Sequence, residues 1–500
     1  MSPFRDIDLH AIAHQAMERY GFRYQFSKNM MREVDRLDPK KMLRSGRVDL
    51  RGLLWSSIDN VDSLDLDQLE YAERGADQEI LIKIAIADVD VFVPRGFEID
   101  RHAEHNATSV YTGIETFPML PLRLSTDLTS LRAGEDRPAI VIEFVVLKNG
   151  DVRRGKIYLA LVHNRAKLVY EEVGAWLDGH GPFPQAFTDI PGLEEQVRLQ
   201  DEAASRLKNF RMEKGALELE SLEAKTVMKD DMVVGLVLPS EDRAHHVIEN
   251  FMIAANGTVM EFLEKAHVPV IQRIVRVPKN WPGIVDVAAD LGTRLPAEAD
   301  VKALSKFLLK RKSADSVHFP DLSLTIVKLL GPGEYMMLEP GKAPVGHFGL
   351  AVSDYTHSTA PNRRYVDLII QRILKAVLDR KACPYSRKEL IEHAAWCTDR
   401  DKMSKKVERF MQKVAAAVLM RGRIGEVFDG IITGSSDKGI YVRLVEPPVE
   451  GRIMGGGERL SVGQNVRVKL TDLDPYQGHI DFERAREGGN VKSSLKGRRR

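Results

Sequence analysis

The sequence predicts an α+β protein: a mixed sheet surrounded by helices, followed by a small five-stranded β-barrel. Three observations over its 500 residues carry that expectation. Apolar, β-branched runs dominate between residues 53 and 162. Apolar spacings of three and four dominate from there to residue 420. The last eighty residues return to short strands broken by Gly, Asp and Pro. Strands followed by a mass of helices indicate an α+β domain. The expected division is a helical segment over 1–48, the large domain over 49–421, the barrel over 422–484 and a tail over 485–500.

Each element has its own signal. LHAIAHQAMERYGF and MMREVDRL space their apolar residues as helices do. LLWSSI is a short strand, and EILIKIAIADVDVFV is a long β-branched one that ends at Pro94. RPAIVIEFVVL and VRRGKIYLALV form a strand pair, and their link, Lys148-Asn149-Gly150-Asp151, carries the Asn-Gly signal of a tight hairpin. Helices follow in AKLVYEEVGAWL, LEEQVRLQDEAASRLKNFRMEKGAL, HHVIENFMIAANGTVMEFLEKA and RYVDLIIQRILKAVL, and over 386–420. GEVFDGIITGSSDKGIYVRLVE and VGQNVRVKLTDLDPYQGHIDFE supply the barrel strands. The chain ends REGGNVKSSLKGRRR, which has no apolar periodicity and reads as a basic disordered tail.

Composition excludes several classes. A hydrophobic content of 43% with 29% charged residues fits a globular protein with a large core. No apolar run is long enough for a membrane-spanning helix. The first residues carry Asp6 and Asp8 and lack an apolar stretch, so neither a secretory leader nor a transit peptide is expected. Two cysteines, Cys383 and Cys397, rule out a disulfide framework and a cysteine-rich zinc site and point to a reducing cytoplasm. A formal charge of +1 offers no argument for nucleic acid, which must come from local sites.

Two clusters carry chemistry. In IDNVDSLDLDQLE, five carboxylates (Asp59, Asp62, Asp65, Asp67 and Glu70) fall within twelve residues directly after an apolar strand. Asp65 and Asp67 are two apart, so an extended backbone points them the same way. Crowded carboxylates repel unless a cation neutralises them, and oxygen-only ligands suit Mg²⁺ or Mn²⁺ rather than zinc. The plain alternative is a solvated acidic loop. The second cluster runs from His347 through YTHSTAPNRRY to Tyr365. It sets Arg363 and Arg364 just before a helix, a place suited to gripping phosphate. Its plain alternative is a helix start with two solvated arginines.

Together the clusters resemble the catalytic (RNB) domain of the ribonuclease II family, hydrolytic 3′-to-5′ exoribonucleases, from about residue 49 to 378. FPMLPLRLSTDLTSLRAGEDRPA, AKLVYEEV and IENFMIAAN extend the likeness between them. The resemblance implies that Asp59, Asp65 and Asp67 ligate magnesium, with manganese a possible substitute. It implies that Arg363 contacts the scissile phosphate with Arg364 beside it, that Tyr111 and Tyr170 stack on RNA near its 3′ end, and that Glu249 lies near the terminal nucleotides. The barrel resembles the family's OB-fold RNA-binding module. There Phe428 and Tyr441 are candidate stacking faces beside Lys438 and Arg443, with Gly425, Gly430 and Gly439 at turns. A cytoplasmic monomer acting on single-stranded RNA, with no membrane partner, is the implied setting.

The departures define the rival expectation. Gln68 stands where the family has a fourth aspartate, and Asp62 or Glu70 are the carboxylates left to compensate. Ala360 and Asn362 replace a hydroxyl residue and an apolar one. The short N-terminal segment cannot hold the family's two cold-shock barrels, which makes this an abbreviated member. An RNA-binding protein that keeps the fold without catalysis is the rival reading. A phosphodiesterase acting on another nucleotide polymer is the third.

Overall fold

The computed structural model describes residues 7–39, 46–220, 224–238, 242–278, 280–316, 318–436, 439–455, 460 and 463–485. It divides into two compact units: residues 13–222 with 239–408, and residues 1–12 with 223–238 and 409–500.

The larger unit is built on a six-stranded sheet of β1 (Val48–Asp49), β2 (Trp55–Asp59), β3 (Gln68–Arg74), β4 (Ile80–Ala87), β5 (Asp136–Val146) and β6 (Val152–Val169). The order is β1-β6-β2-β3-β4-β5, with β5 also paired to β6. The eighteen-residue β6 makes the sheet mixed. Its first part runs antiparallel to β5, from Val152 opposite Val146 to His163 opposite Asp136. Its last part runs parallel to β2, where Asp59 lies opposite Val169. The Asn-Gly link between them turns at Gly150, with φ 86°. A Cβ there would sit 2.1 Å from the Arg206 carbonyl oxygen, so only glycine fits.

Two strand boundaries differ from expectation. Ala166 to Val169, expected to open a helix, instead finish β6 because they complete the ladder to β2. The long run expected to end at Pro94 stops being strand at Ala87, where Asp88 accepts from Arg47 and Lys375 and a 3₁₀ turn begins.

Around the sheet lie α1 (Tyr170–Leu177), α2 (Leu193–Lys214), α3 (Arg243–Lys265) and α4 (Tyr365–Leu378), and α5 (Arg387–Met420) follows in the chain. Asp242 caps α3 by accepting from the His245 N–H. Gln196 of α2 grips the β3 backbone, donating to the Ala72 carbonyl and accepting from its N–H. Trp55, Ile58, Leu69, Ile84, Phe144, Phe251 and Tyr365 are core residues between sheet and helices. The two N-terminal helices form at Leu9–Arg19 and Lys28–Asp35. A hairpin of Val270–Ile274 with Glu334–Leu338 brackets three helices with a core of their own around Trp281, Phe307 and Phe319.

The smaller unit holds a closed barrel of β7 (Val427–Ser436), β8 (Gly439–Leu444), β9 (Glu450–Ile453), β10 (Asn465–Asp474) and β11 (His479–Arg484), in the order β7-β8-β9-β11-β10. Ala416, Ala417 and Met420, from the last turns of α5, complete its core. Gly430 lies inside β7 rather than at a turn, because Val442 and the Arg443 carbonyl approach within 2.9 Å of where a Cβ would be. Lys438 and the tail over 486–500 lie outside the described residues.

Candidate active site

The ends of the acidic segment are folded into the protein, while its middle, at Val61, Asp62 and Leu64, is exposed. β2 delivers Asp59 at its last residue, and the chain returns through a loop to Asp67, immediately before β3. Ser130 pins that loop by donating to the Leu64 carbonyl and accepting from the Leu66 N–H. Lys167 closes its other side on the carbonyls of Val61 and Ser63, at 2.8 and 2.7 Å. Asp67 is 2% exposed, whereas Asp62 is exposed on the loop.

A second segment, nearly three hundred residues later, meets Asp67. The Asn362 backbone N–H donates to Asp67 Oδ1 at 3.1 Å, and Arg363 Nε donates to Oδ2 at 3.0 Å. Arg364 turns the other way: its Nε and Nη2 bind Asp367 at 2.9 and 2.8 Å, and Asp367 also accepts from the Ala360 N–H. Arg363 therefore faces the carboxylates while Arg364 holds the start of α4.

The Tyr111 segment is stitched to the same turn. The Ser109 N–H donates to the Arg363 carbonyl at 3.0 Å, and the Tyr365 N–H to the Ala107 carbonyl at 2.8 Å. Tyr111 is 43% exposed, and its hydroxyl donates to Asp65 Oδ2 at 3.4 Å. Asp65, Asp67, Tyr111 and Arg363, all singled out in the sequence, are thus brought together.

Tyr170 opens α1 directly after β6 and stacks on His245, with ring centroids 3.9 Å apart and planes 13° from parallel. Asp242 holds that histidine at 2.9 Å. Glu249, one turn further along α3, pairs with Arg211 at 3.3 Å and His246 at 3.6 Å. Burial opposes ionisation of Glu249, but His246 and Arg211 outweigh it and hold its pKa below the usual glutamate range.

The barrel residues separate. Phe428 is 6% exposed within the barrel core, with the Arg423 guanidinium 4.5 Å from its ring centroid, so burial withdraws it as a stacking face. Tyr441 is half-buried on β8, opposite Gly434 and Arg452. Sequence reading missed His245 and Thr129. Thr129 donates its hydroxyl to Asn362 Oδ1, and neither it nor a histidine in a first helical turn carries a motif.

The electrostatics describe a site short of positive charge. Burial, then repulsion from Asp67, pushes the Asp59 carboxyl up to about 7. Burial pushes Asp67 up to about 7 as well, although Arg363 works against it. Asp65 is raised chiefly by burial. Asp59 Oδ2 is buried with no hydrogen-bond partner. An oxygen-only donor set with an unsatisfied carboxylate oxygen fits a hard divalent cation. Among the described residues, no three His, Cys, Asp or Glu side chains already converge on one point. Asp67 is held by Asn362 and Arg363, and Asp65 by Tyr111.

Comparison with known proteins places the chain in a family. The RNB domain model matches residues 47–380, and that of the RNase II-type exonuclease C-terminal S1 domain matches 426–485. Ribonuclease R of Aquifex aeolicus is 28% identical over 498 residues, covering 93% of this chain and 69% of that protein. Ribonuclease R of Escherichia coli is 29% identical over 475 residues, covering 88% of this chain and 57% of that protein. Among solved structures, apo Mycoplasma genitalium RNase R superposes with a TM-score of 0.85 at 22% identity, covering 96% of this chain and 78% of that one. With two thirds of its length matched by the RNB model and an S1 domain behind it, the chain belongs to the RNB-domain family of exoribonucleases.

Proposed function

We propose that the protein hydrolyses single-stranded RNA from its 3′ end, using a divalent cation, preferably Mg²⁺, and releases nucleoside 5′-monophosphates. The observation that carries this reading is the convergence of Asp67, Asp65, Tyr111 and Arg363 from three separated stretches of chain. Asp59, Asp65 and Asp67 are the residues that would hold the cation, which supplies a lowered pKa for water and neutralises phosphate charge.

Arg363 binds Asp67 through Nε alone among the described residues, and nearly half of its side chain is exposed. The rest of its fork would stabilise the extra negative charge as water adds to phosphorus and the 3′-oxygen of the preceding nucleotide leaves. Tyr111 and the Tyr170–His245 stack hold the terminal bases, turning encounter into aligned attack. Glu249, kept ionised by Arg211 and His246, accepts a hydrogen bond from a ribose hydroxyl and so favours RNA over DNA. Tyr441 on the barrel adds a base-stacking face. No helix among the described residues is long and apolar enough to cross a membrane, and a cytoplasmic setting suits the two reduced cysteines.

A time course on 5′-labelled single-stranded RNA, with Mg²⁺ and with EDTA, tests the reading beside Asp67→Asn. The expected result is a Mg²⁺-dependent ladder that shortens from the 3′ end and slows by roughly 100-fold or more in the variant, the scale for losing one stabilising group. Equal rates for variant and parent would sink it. The second reading, an RNA-binding protein without catalysis, is favoured by the neutral Gln68 in the acidic segment. Its signature is RNA that is bound but left intact under both conditions.

A further inference from the structure

Two side chains of α2 reach across to α3 and hold Glu249 from behind. Lys208 and Arg211 are three residues apart and so lie on one face of that helix. Arg211 is anchored first. Its Nε and Nη2 both donate to Asn250 Oδ1, at 3.2 and 2.8 Å, and Asn250 is itself tied by Nδ2 to the His246 carbonyl at 2.7 Å. The anchored Nη2 then donates to Glu249 Oε1 at 3.3 Å.

Lys208 acts through His246. Its Nζ lies 3.3 Å from His246 Nε2 and 3.2 Å from Glu218 Oε1. An ammonium has only donors, so Nε2 accepts and the ring proton sits on Nδ1. That nitrogen is buried with no hydrogen-bond partner, and it faces Glu249 Oε2 at 3.6 Å, just beyond hydrogen-bond length. A buried donor left unmade is costly, and the Glu249 carboxylate is the acceptor in front of it. Each oxygen of Glu249 therefore has its own donor behind it, while nearly half of the side chain stays exposed. Glu249 also stands one helical turn from His245, the ring stacked on Tyr170.

A half-exposed glutamate loses rotamer freedom whenever it must hold one geometry for a ligand. One fixed in advance avoids that loss. It also penalises a ligand without the matching hydroxyl, because its oxygen is then left unpaired. We infer that Arg211 and His246, with Lys208 behind the histidine, are positioning residues that set RNA-over-DNA selectivity by holding one oxygen of Glu249 each. The inference rests on the reading of Glu249 as a ribose acceptor and deepens it: the selectivity is built into the α2–α3 contact as well as the acceptor itself.

The test measures the affinity of the full chain for short single-stranded RNA and DNA of one sequence, in EDTA so that neither is cut. The parent is compared with Glu249→Gln, Arg211→Met and His246→Phe, the last keeping a ring without a donor. Arg211→Met and His246→Phe are each expected to shrink the RNA-over-DNA affinity ratio by roughly 10- to 100-fold, the scale of one hydrogen bond to a charged group. The loss is expected to fall on RNA. Arg211→Lys, which keeps the charge but not the fork, is expected to lie between parent and Arg211→Met. A contact that merely staples α2 to α3 would instead weaken RNA and DNA alike and leave the ratio where it was. A ratio kept in these folded variants but lost in Glu249→Gln overturns the inference and leaves the reading of Glu249 standing. A parent with no preference for RNA, or a ratio kept in Glu249→Gln as well, overturns both.

Discussion

Asp67 and Asp59 show how burial and charge act at the scale of single residues. Each holds its proton up to about pH 7 in the folded chain, against about 4 for an unfolded aspartate. Over that window the folded state binds more protons than the unfolded one, so stability falls as pH rises from about 4 to about 7 and stays lowered above it. A bound divalent cation offsets the exposed repulsion only where the carboxylates are ionised. In EDTA the melting temperature is therefore expected to decline through that window, and Asp59→Asn is expected to flatten the decline. Added Mg²⁺ should raise the melting temperature more above about pH 7 than below about pH 5. A scan of melting temperature against pH, with and without Mg²⁺, measures all three effects. A parent chain equally stable across the window in EDTA would contradict them.

At the scale of elements, the site depends on how firmly the turn before α4 is held. Asn362 gives its backbone N–H to Asp67 and takes the Thr129 hydroxyl on its side-chain oxygen, while its Nδ2 is buried without a partner. Thr129→Val removes the donor and leaves the whole Asn362 amide unsatisfied, a loss of about 1–3 kcal/mol. Urea unfolding is expected to show that loss, with a reduced turnover as Arg363 loosens. An unchanged midpoint would show that the turn is fixed elsewhere. The long helices α2 to α5 were legible because their apolar spacing survives burial, and the Asn149-Gly150 turn because only that chemistry fits beside Arg206. The switch from strand to helix at Tyr170 was not, since AKLV suits either state until β2 lies alongside it. The carboxylates and Arg363 announced themselves by type and spacing. Their partners Thr129 and His245 did not, because a threonine at a turn and a histidine in a helix gain meaning only from what the fold sets against them.

At the scale of the whole molecule, a formal charge of +1 provides no general attraction for a polyanion, so affinity must arise from particular surfaces. The two units carry different parts of the proposed function. The larger one gathers the carboxylates and Arg363, and the smaller one is a barrel with Tyr441 half-exposed on β8. Two aromatic residues of that barrel separate binding from stability. If Tyr441 stacks on RNA as proposed, Tyr441→Ala removes a face worth about 1–3 kcal/mol per base, and its melting temperature should barely move. Phe428→Ala instead opens a cavity in the barrel core, at about 3–5 kcal/mol of stability. Fluorescence anisotropy on labelled single-stranded RNA, read beside thermal melts of both variants, distinguishes the two roles. For Tyr441→Ala the expected result is weaker binding on every sequence tried, because any base offers a face to stack. Cleavage of saturating RNA should be preserved, because Asp67 and Arg363 are untouched. Unaltered RNA affinity in a folded Tyr441→Ala protein would remove the barrel tyrosine from the binding surface and leave the larger unit as the place where RNA is gripped.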